Sequence, residues 1–335
     1  MTPLDKSLQD SVDRLTRRAH GACIADNPAI HENEVSGLEQ QHIAVGQTAH
    51  AVTPARRFLA SFDIEDWFHA ENLKPSLPTN DWSLLESRVE RNTHEILDIL
   101  AATQARSTFF VLGWIARRHP GLVRRIAAEG HEVASHTDTH RKLYDLSRRE
   151  LVADLANARD SLEQLTGRRV LGVRAPAFTI TDEGLDCLAE ANYWYDSSYH
   201  AFGIHDRYGR LSTPVDPEQS VVEVRAGLLE LPMSRLHWGP LTLPWAGGGY
   251  FRLIPYSIYR RGVAHRLARR SWFMFYFHPW ELDVEEPPPA GLPATMRFRA
   301  YNGRGRMRRD LPNLLREFGS ARIDETLLAL GYRPR

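Results

Sequence analysis

Residues 129–140 read EGHEVASHTDTH, and this stretch frames the rest of the chain. Gly130 stops a helix predicted over 120–129, which Pro120 opens. Glu132–Ser135 then reads as a short strand. His136 and His140 follow, four residues apart, a spacing from which one tight loop or helical turn brings two imidazoles to one metal ion. Ser135 and Thr137 stand beside them as hydrogen-bonding neighbours able to orient the rings. Such a pair also arises on ordinary surface helices. Its position just past a strand separates it from those.

Working outward, short apolar runs alternate with amphipathic ones. Strands are expected at Phe58–Phe62, Ser107–Leu112, Val170–Val173, Val221–Val224, Leu228–Leu231 and Trp272–Phe277. Helices are expected over 83–103, with Leu84, Leu85, Val89, Ile96, Leu97 and Leu100 on the apolar face, and over 147–166 and 181–191. Ser147 with Glu150 forms a capping box, Gly167 a stop, and Thr181 a cap. Strands alternating with helices imply an α/β fold with parallel strands and outer helices. In such folds the chemistry sits at the C-terminal strand ends, where acids and histidines cluster here.

The chain has 335 residues, 42 Lys+Arg and 42 Asp+Glu, hence no net charge. That balance argues against a general nucleic-acid binder. Cys23 and Cys187 make no framework and no CxxC pair, and Cys187 reads as a small core residue. The polar start shows no secretory signal, and no run approaches the ~18 apolar residues of a membrane span, so a cytoplasmic location is expected. Residues 1–56 read as a disordered appendage, 57–285 as the main domain and 286–335 as a basic C-terminal extension packing on it.

Four further groups carry chemical potential. Asp63-Ile64-Glu65-Asp66 places three carboxylates in four residues, which repel one another unless a cation or Arg neutralises them. One such acid with two histidines makes a His₂-carboxylate set suited to first-row divalent ions, and a second can act as general base. Arg174-Ala175-Pro176 follows a strand, where a guanidinium can hold a carboxylate bidentately. Tyr195-Asp196-Ser197-Ser198 reads as a turn or cap. His278, just past the aromatic strand, is either a satisfied core residue or a general acid.

These five groups, in this order, resemble the NodB-homology polysaccharide deacetylases, over about Phe58 to Glu281. The segments 244–252 (PWAGGGYFR), 278–281 (HPWE) and "FRAYNGRGR" resemble the exosortase-associated subgroup found with exopolysaccharide loci. The resemblance implies a distorted (β/α) barrel and metal-dependent removal of N-acetyl groups from an amino-sugar glycan or its precursor. It implies that Asp66, His136 and His140 bind the metal, Zn²⁺ with Co²⁺, Ni²⁺ or Mn²⁺ as alternatives. His278 would be the general acid, Arg174 the partner of the base, and Asp196 the group holding His278. The family has two adjacent aspartates where this chain has Asp63-Ile64-Glu65-Asp66-Trp67, so the base is Asp63 or Glu65. Asp63 is preferred because Glu65 would reach about one methylene too far.

In that mechanism the Ala177 N–H would face the oxyanion, and Trp67, Trp245, Tyr250 and Trp280 would stack on sugar rings. The C-terminal arginines, from Arg260 to Arg309, form either a solvated helix face or a contact for a lipid-linked glycan or the anionic membrane surface. Two other functions stay open at this level: hydrolysis of a different amide on the same scaffold, and a glycan-binding module without catalysis.

Overall fold

The computed structural model describes residues 57–200, 209–212, 215–216, 219–238 and 241–334. The expected N-terminal appendage, residues 1–56, lies outside the described residues, as does Cys23. Pro54–Arg335 form one compact unit, with the expected C-terminal extension built into it.

The strands are β1 (Arg57–Ile64), β2 (Thr108–Val111), β3 (Glu132–Ser135), β4 (Gly172–Val173), β5 (Tyr195–Asp196), β6 (Val222–Arg225), β7 (Leu228–Glu230), β8 (Arg235–Trp238), β9 (Leu241–Pro244) and β10 (Trp272–Phe277). The main sheet runs β10-β1-β2-β3-β4-β5-β7-β6, and β8 with β9 forms a separate hairpin. Pairing is parallel from β10 to β7, and β6 alone is antiparallel. Since β10 and β6 end the sheet, the expected barrel is an open half-barrel. Helices α1 (Val89–Thr103), α2 (Gly113–Arg118), α3 (Pro120–Ala128), α4 (Arg148–Thr166), α5 (Asp182–Glu190), α6 (Gly248–Leu253), α7 (Tyr256–Arg269), α8 (Ala294–Tyr301), α9 (Arg304–Phe318) and α10 (Ile323–Ala329) complete the described fold.

Strand alternation sorts the side chains into two layers. Phe58, Ala60, Phe62 and Ile64 of β1, with Phe273, Phe275 and Phe277 of β10, join the larger core with the helices. Leu59, Phe110, Ala134 and Met274 point to the other face and pack with Ile323 and Leu327 of α10. The C-terminal helix thus fills the hollow that an unclosed sheet leaves. Its first N–H groups are satisfied at the opening ends of the strands: Ile323 N donates to Thr108 Oγ1 at 3.0 Å and Asp324 N to Glu132 Oε2 at 3.1 Å.

Local signals hold where the sequence is self-sufficient. Ser147 and Glu150 make their capping box, and Gly167 ends α4 at φ 65°. The helix expected over 83–103 is shorter, because Trp82–Leu84 form a separate 3-10 turn and Leu84 is 73% exposed. Its real start is set from far away: the Arg88 and Val89 N–H groups donate to the Asp66 carboxylate. Four of the C-terminal arginines are ion-paired within the fold, Arg260 with Glu317, Arg304 with Glu286, Arg308 with Glu95 and Arg309 with Asp310. That pairing leaves less free positive charge for a membrane surface than composition suggests. Among the described residues no helix is long and apolar enough to cross a membrane.

His131 supplies a prediction. It is buried between α3 and β3, and its Nδ1 accepts from the Ser107 N–H at 3.3 Å. Burial lowers its pKa from 6.5 to about 4. The unfolded chain therefore binds a proton that the folded chain refuses between those values, so the contribution is intact above pH 6.5 and lost as pH falls toward 4. The expected loss is on the order of 3 kcal/mol across that window. Urea melts of wild type and His131→Gln at several pH values check it; equal acid limbs in both would remove the assignment.

Candidate active site

Parallel pairing brings the ends of β1, β3, β4 and β10 to one edge, and Glu65, His136, Arg174 and His278 each follow directly after the last strand residue. Asp63 lies on β1 itself, on the inner face with Ser61. All five are drawn together by topology, although up to 215 positions separate them in the chain.

Glu65, His136 and His140 form a buried set whose ligand atoms lie within 4.8 Å of one another. Glu65 Oε2 stands 2.5 Å from His140 Nε2 and 3.8 Å from His136 Nε2. The close approach to His140 lacks hydrogen-bond alignment, and both nitrogens of His140 are buried without a hydrogen-bond partner. His136 donates from Nδ1 to the Arg174 carbonyl at 2.8 Å, which leaves Nε2 bare and turned to the same place. Burial pushes the Glu65 pKa up, but His140 and His278 outweigh it and hold the carboxyl well below its usual range. Burial keeps His140 below its ordinary value. An anionic carboxylate oxygen and two imidazole nitrogens, converging on one small space, are a donor set that fits a divalent cation.

The loop that carries both histidines is not a helical turn. Thr137 and His140 adopt left-handed backbone, at φ 66° and 56°. Asp154 of α4 holds it, accepting from the Asp138 and Thr139 N–H groups and the Thr139 hydroxyl. Gly113 is required beside it, since a Cβ there would lie 2.1 Å from Asp138 Oδ1. Neither clamp is visible in the sequence, because both depend on contacts between elements.

Asp66, expected among the metal ligands, is placed elsewhere. Its carboxylate caps the turn Trp67–His69 and accepts from the Ser87 hydroxyl and the Arg88 and Val89 N–H groups. With its lone pairs committed to a helix start, it has none for a cation, and Glu65 stands in its place. Glu65 reaches the histidines because the chain leaves β1 at Ile64, and its longer side chain spans the extra distance.

Asp63 Oδ1 accepts from Arg174 Nη1 at 2.7 Å. Arg174 is fully buried, lies 4.0 Å over the Phe110 ring, and also donates to Ser61 Oγ, the Ser197 carbonyl and Ser197 Oγ. Asp63 Oδ2 is 3.8 Å from His278 Nε2, and Glu65 Oε1 is 3.6 Å from the same nitrogen. Burial lowers the His278 pKa, yet Glu65, Glu281 and Asp63 overcome it and push it up to about 9. The Glu281 contribution persists when Glu65 is committed to a cation.

Asp196 does not hold His278. It shares a buried pocket with Glu230 and accepts from the Ser198 hydroxyl. Burial, then mutual repulsion, raises Glu230 well above its ordinary value, so the two carboxyls do not both ionise. His278 Nδ1 donates instead to Glu281 Oε1 at 3.0 Å, three residues along in the same turn. The sequence marks the run 278–281 but does not show that Glu281 is the partner of His278, a contact that depends on how the turn Pro279–Glu281 folds back.

Among the expected aromatic contacts, Trp245 is displaced. It is 3% exposed, stacks on Tyr259 at 5.5 Å and donates to the Tyr259 carbonyl, which makes it core. Trp280 stacks on His278 at 5.2 Å and 15°, with its indole N–H 3.4 Å from Glu65 Oε1. Trp67 is half-buried and lines an open cleft of about 660 Å³ with Pro287, Pro288 and Pro289. Tyr250 is half-buried against the core. Ala177 takes left-handed backbone, φ 51°, in the turn after Arg174.

Residues 80–195 match the family described as polysaccharide deacetylase, and residues 197–328 match a domain of unknown function, DUF3473. The chain is similar to a chitooligosaccharide deacetylase of Sinorhizobium fredii, 38% identical over 100 residues, 30% of this chain and 46% of that protein. It is also similar to a peptidoglycan-N-acetylglucosamine deacetylase of Bacillus cereus, 33% identical over 101 residues, 30% of this chain and 37% of that protein. The chain thus spans less than half the length of these curated relatives. A crystal structure from Mycobacterium smegmatis, assigned to the polysaccharide deacetylases, shares the fold at TM-score 0.54 and 21% identity, over 84% of this chain and 92% of that one. His278 and Glu281 fall in the segment of unknown function, so the first matched segment alone does not contain the whole cluster.

Proposed function

This chain carries a polysaccharide deacetylase domain, and from that premise we propose that it hydrolyses N-acetyl groups of an amino-sugar glycan or its precursor, in exopolysaccharide assembly. Glu65, His136 and His140 would hold a divalent cation, Zn²⁺ by donor type. When bound, it supplies Lewis-acid polarisation of the acetamide carbonyl and a more acidic water.

The chain's own residues do the rest. Asp63 accepts the proton of the attacking water, and Arg174 holds its carboxylate in place. Glu65 is committed to the histidines, which leaves Asp63 as the base. His278, held charged and turned inward, delivers a proton from Nε2 to the departing amine. The Ala177 N–H faces the oxyanion, while Trp67 and Tyr250, both half-buried, offer ring surfaces to sugar C–H faces. The relatives' substrates put chains containing N-acetylglucosamine first among candidates, as free polymer or lipid-linked precursor.

The observation that carries this reading is the pair of groups flanking one small space: Asp63, tied to Arg174, and His278 Nε2 at 3.8 Å from its other oxygen. An acetate-release screen over chitooligosaccharides, peptidoglycan fragments and lipid-linked glycans, with elemental analysis of the same preparation, tests it. His278→Asn is expected to lower kcat on the order of 10²–10⁴-fold while metal content is kept. Near-full activity in that variant would end its assignment as the acid.

A further inference from the structure

The three sequence segments that mark the subgroup, 244–252, 278–281 and the stretch around 299–306, are far apart in the chain and meet in space. Arg252, 3% exposed, is their junction. Its Nε donates to Glu281 Oε2 at 2.8 Å. Its Nη1 donates to the Asn302 carbonyl at 2.6 Å and its Nη2 to the Arg299 carbonyl at 2.9 Å. Glu281 uses its other oxygen for His278, accepting from Nδ1 at 3.0 Å and from the backbone N–H at 3.1 Å. A single guanidinium thus reaches the C-terminal segment on one side and, through one carboxylate, the imidazole of the active site on the other.

The surrounding glycines confirm how tightly the junction is drawn. A Cβ on Gly248 would lie 2.7 and 2.9 Å from the two Glu281 oxygens. Gly303 sits at φ 77°, and a Cβ there would lie 2.5 Å from the Arg252 carbonyl oxygen. Arg306 donates to that same carbonyl at 3.2 Å. Burial works to raise Glu281, but Arg252 overrides it and holds the carboxyl at about 2. Glu281 is therefore a permanent anion whose two oxygens are both assigned.

We propose that Arg252 and Glu281 are positioning residues that fix the orientation and tautomer of the His278 imidazole, and that the segment 299–306 serves to anchor Arg252. This rests on the reading of His278 as the proton donor to the leaving amine. A purely structural arginine would need only its carbonyl contacts; here its Nε is spent on the carboxylate that faces the catalytic ring. The charged ring carries hydrogen on both nitrogens; the tautomer matters once Nε2 has given up its proton, because a ring whose Nδ1–H stays bonded to Glu281 keeps Nε2 aimed at the substrate. The DUF3473 segment, on this view, completes the site by supplying the acid together with the frame that aims it.

The test uses the full chain and two readouts. Imidazole ¹H–¹⁵N NMR of the metal-free protein, assigned by the signal lost in His278→Gln, should show a protected Nδ1–H on His278. In Glu281→Gln and Arg252→Lys that signal should shift or exchange away. With metal restored, kcat in both variants should fall about tenfold to a hundredfold while KM stays within about twofold, measured well below each variant's melting temperature. If Arg252→Lys does not fold, Glu281→Gln and the wild-type spectrum still decide. An unprotected Nδ1 in wild type, or variants that change KM and leave kcat intact, would overturn the proposal. If wild type releases no acetate from any glycan, the deacetylase reading fails, but the NMR result still reports on the relay.

Discussion

Glu65→Gln is expected to purify with far less than one metal ion per chain and to lose turnover, whereas Asp66→Asn is expected to keep its metal and lose stability. The two carboxylates are neighbours in sequence, so the contrast isolates what each oxygen faces. Glu65 Oε2 points at His140 and His136. The amide that replaces it has one neutral acceptor and a donor that repels a cation. Losing several kcal/mol of charge stabilisation, at about 1.4 kcal/mol per tenfold, lowers the rate by about 10³. Asp66 instead accepts from two backbone N–H groups at the start of α1 and from Ser87. An amide there can present only one acceptor oxygen, and the expected cost is about 1–2 kcal/mol of folding stability. Elemental analysis and denaturant melts of both variants read the two effects separately. Metal lost from Asp66→Asn and kept in Glu65→Gln would reverse the assignment.

Breaking the Asp63–Arg174 pair should produce two different failures. Asp63→Asn keeps the shape and still accepts from Arg174, so it folds, but it cannot take a proton; kcat is expected to fall on the order of 10²–10⁴-fold. Arg174→Met removes the guanidinium that pairs with a buried carboxylate and leaves four acceptor contacts without their donor. Its expected cost is about 3–5 kcal/mol. The double variant Asp63→Asn/Arg174→Met should recover part of that stability, because no uncompensated charge remains, without recovering turnover. Urea melts and acetate release on all three variants check the pattern. Full activity in Asp63→Asn would exclude it as the base and return the role to another group.

Much of this was legible because it was local. Pro120, Gly130, Ser147 with Glu150, and Gly167 set helix ends through contacts within a few residues, and the structure keeps them. The two histidines past a strand, the arginine past another and the histidine past a third were readable as a set because parallel strands bring their C-terminal ends to one edge. Trp245 shows the opposite case: its type suggested a sugar platform, but only packing on Tyr259 reveals that it is core.

The amino-acid order by itself determined the α/β class, the strand ends that carry chemistry, and the kinds of side chain available there. It did not determine which carboxylate does what. Asp63, Glu65 and Asp66 differ by one or two positions, and their roles follow from what lies opposite each: Arg174 from β4, two imidazoles from the β3 loop, and the N-terminus of α1. Likewise Glu281, not Asp196, holds His278, because Asp196 is paired with Glu230 and Ser198 inside the sheet. Partner choice among like groups is a question of distance between elements, and only the tertiary structure sets those distances.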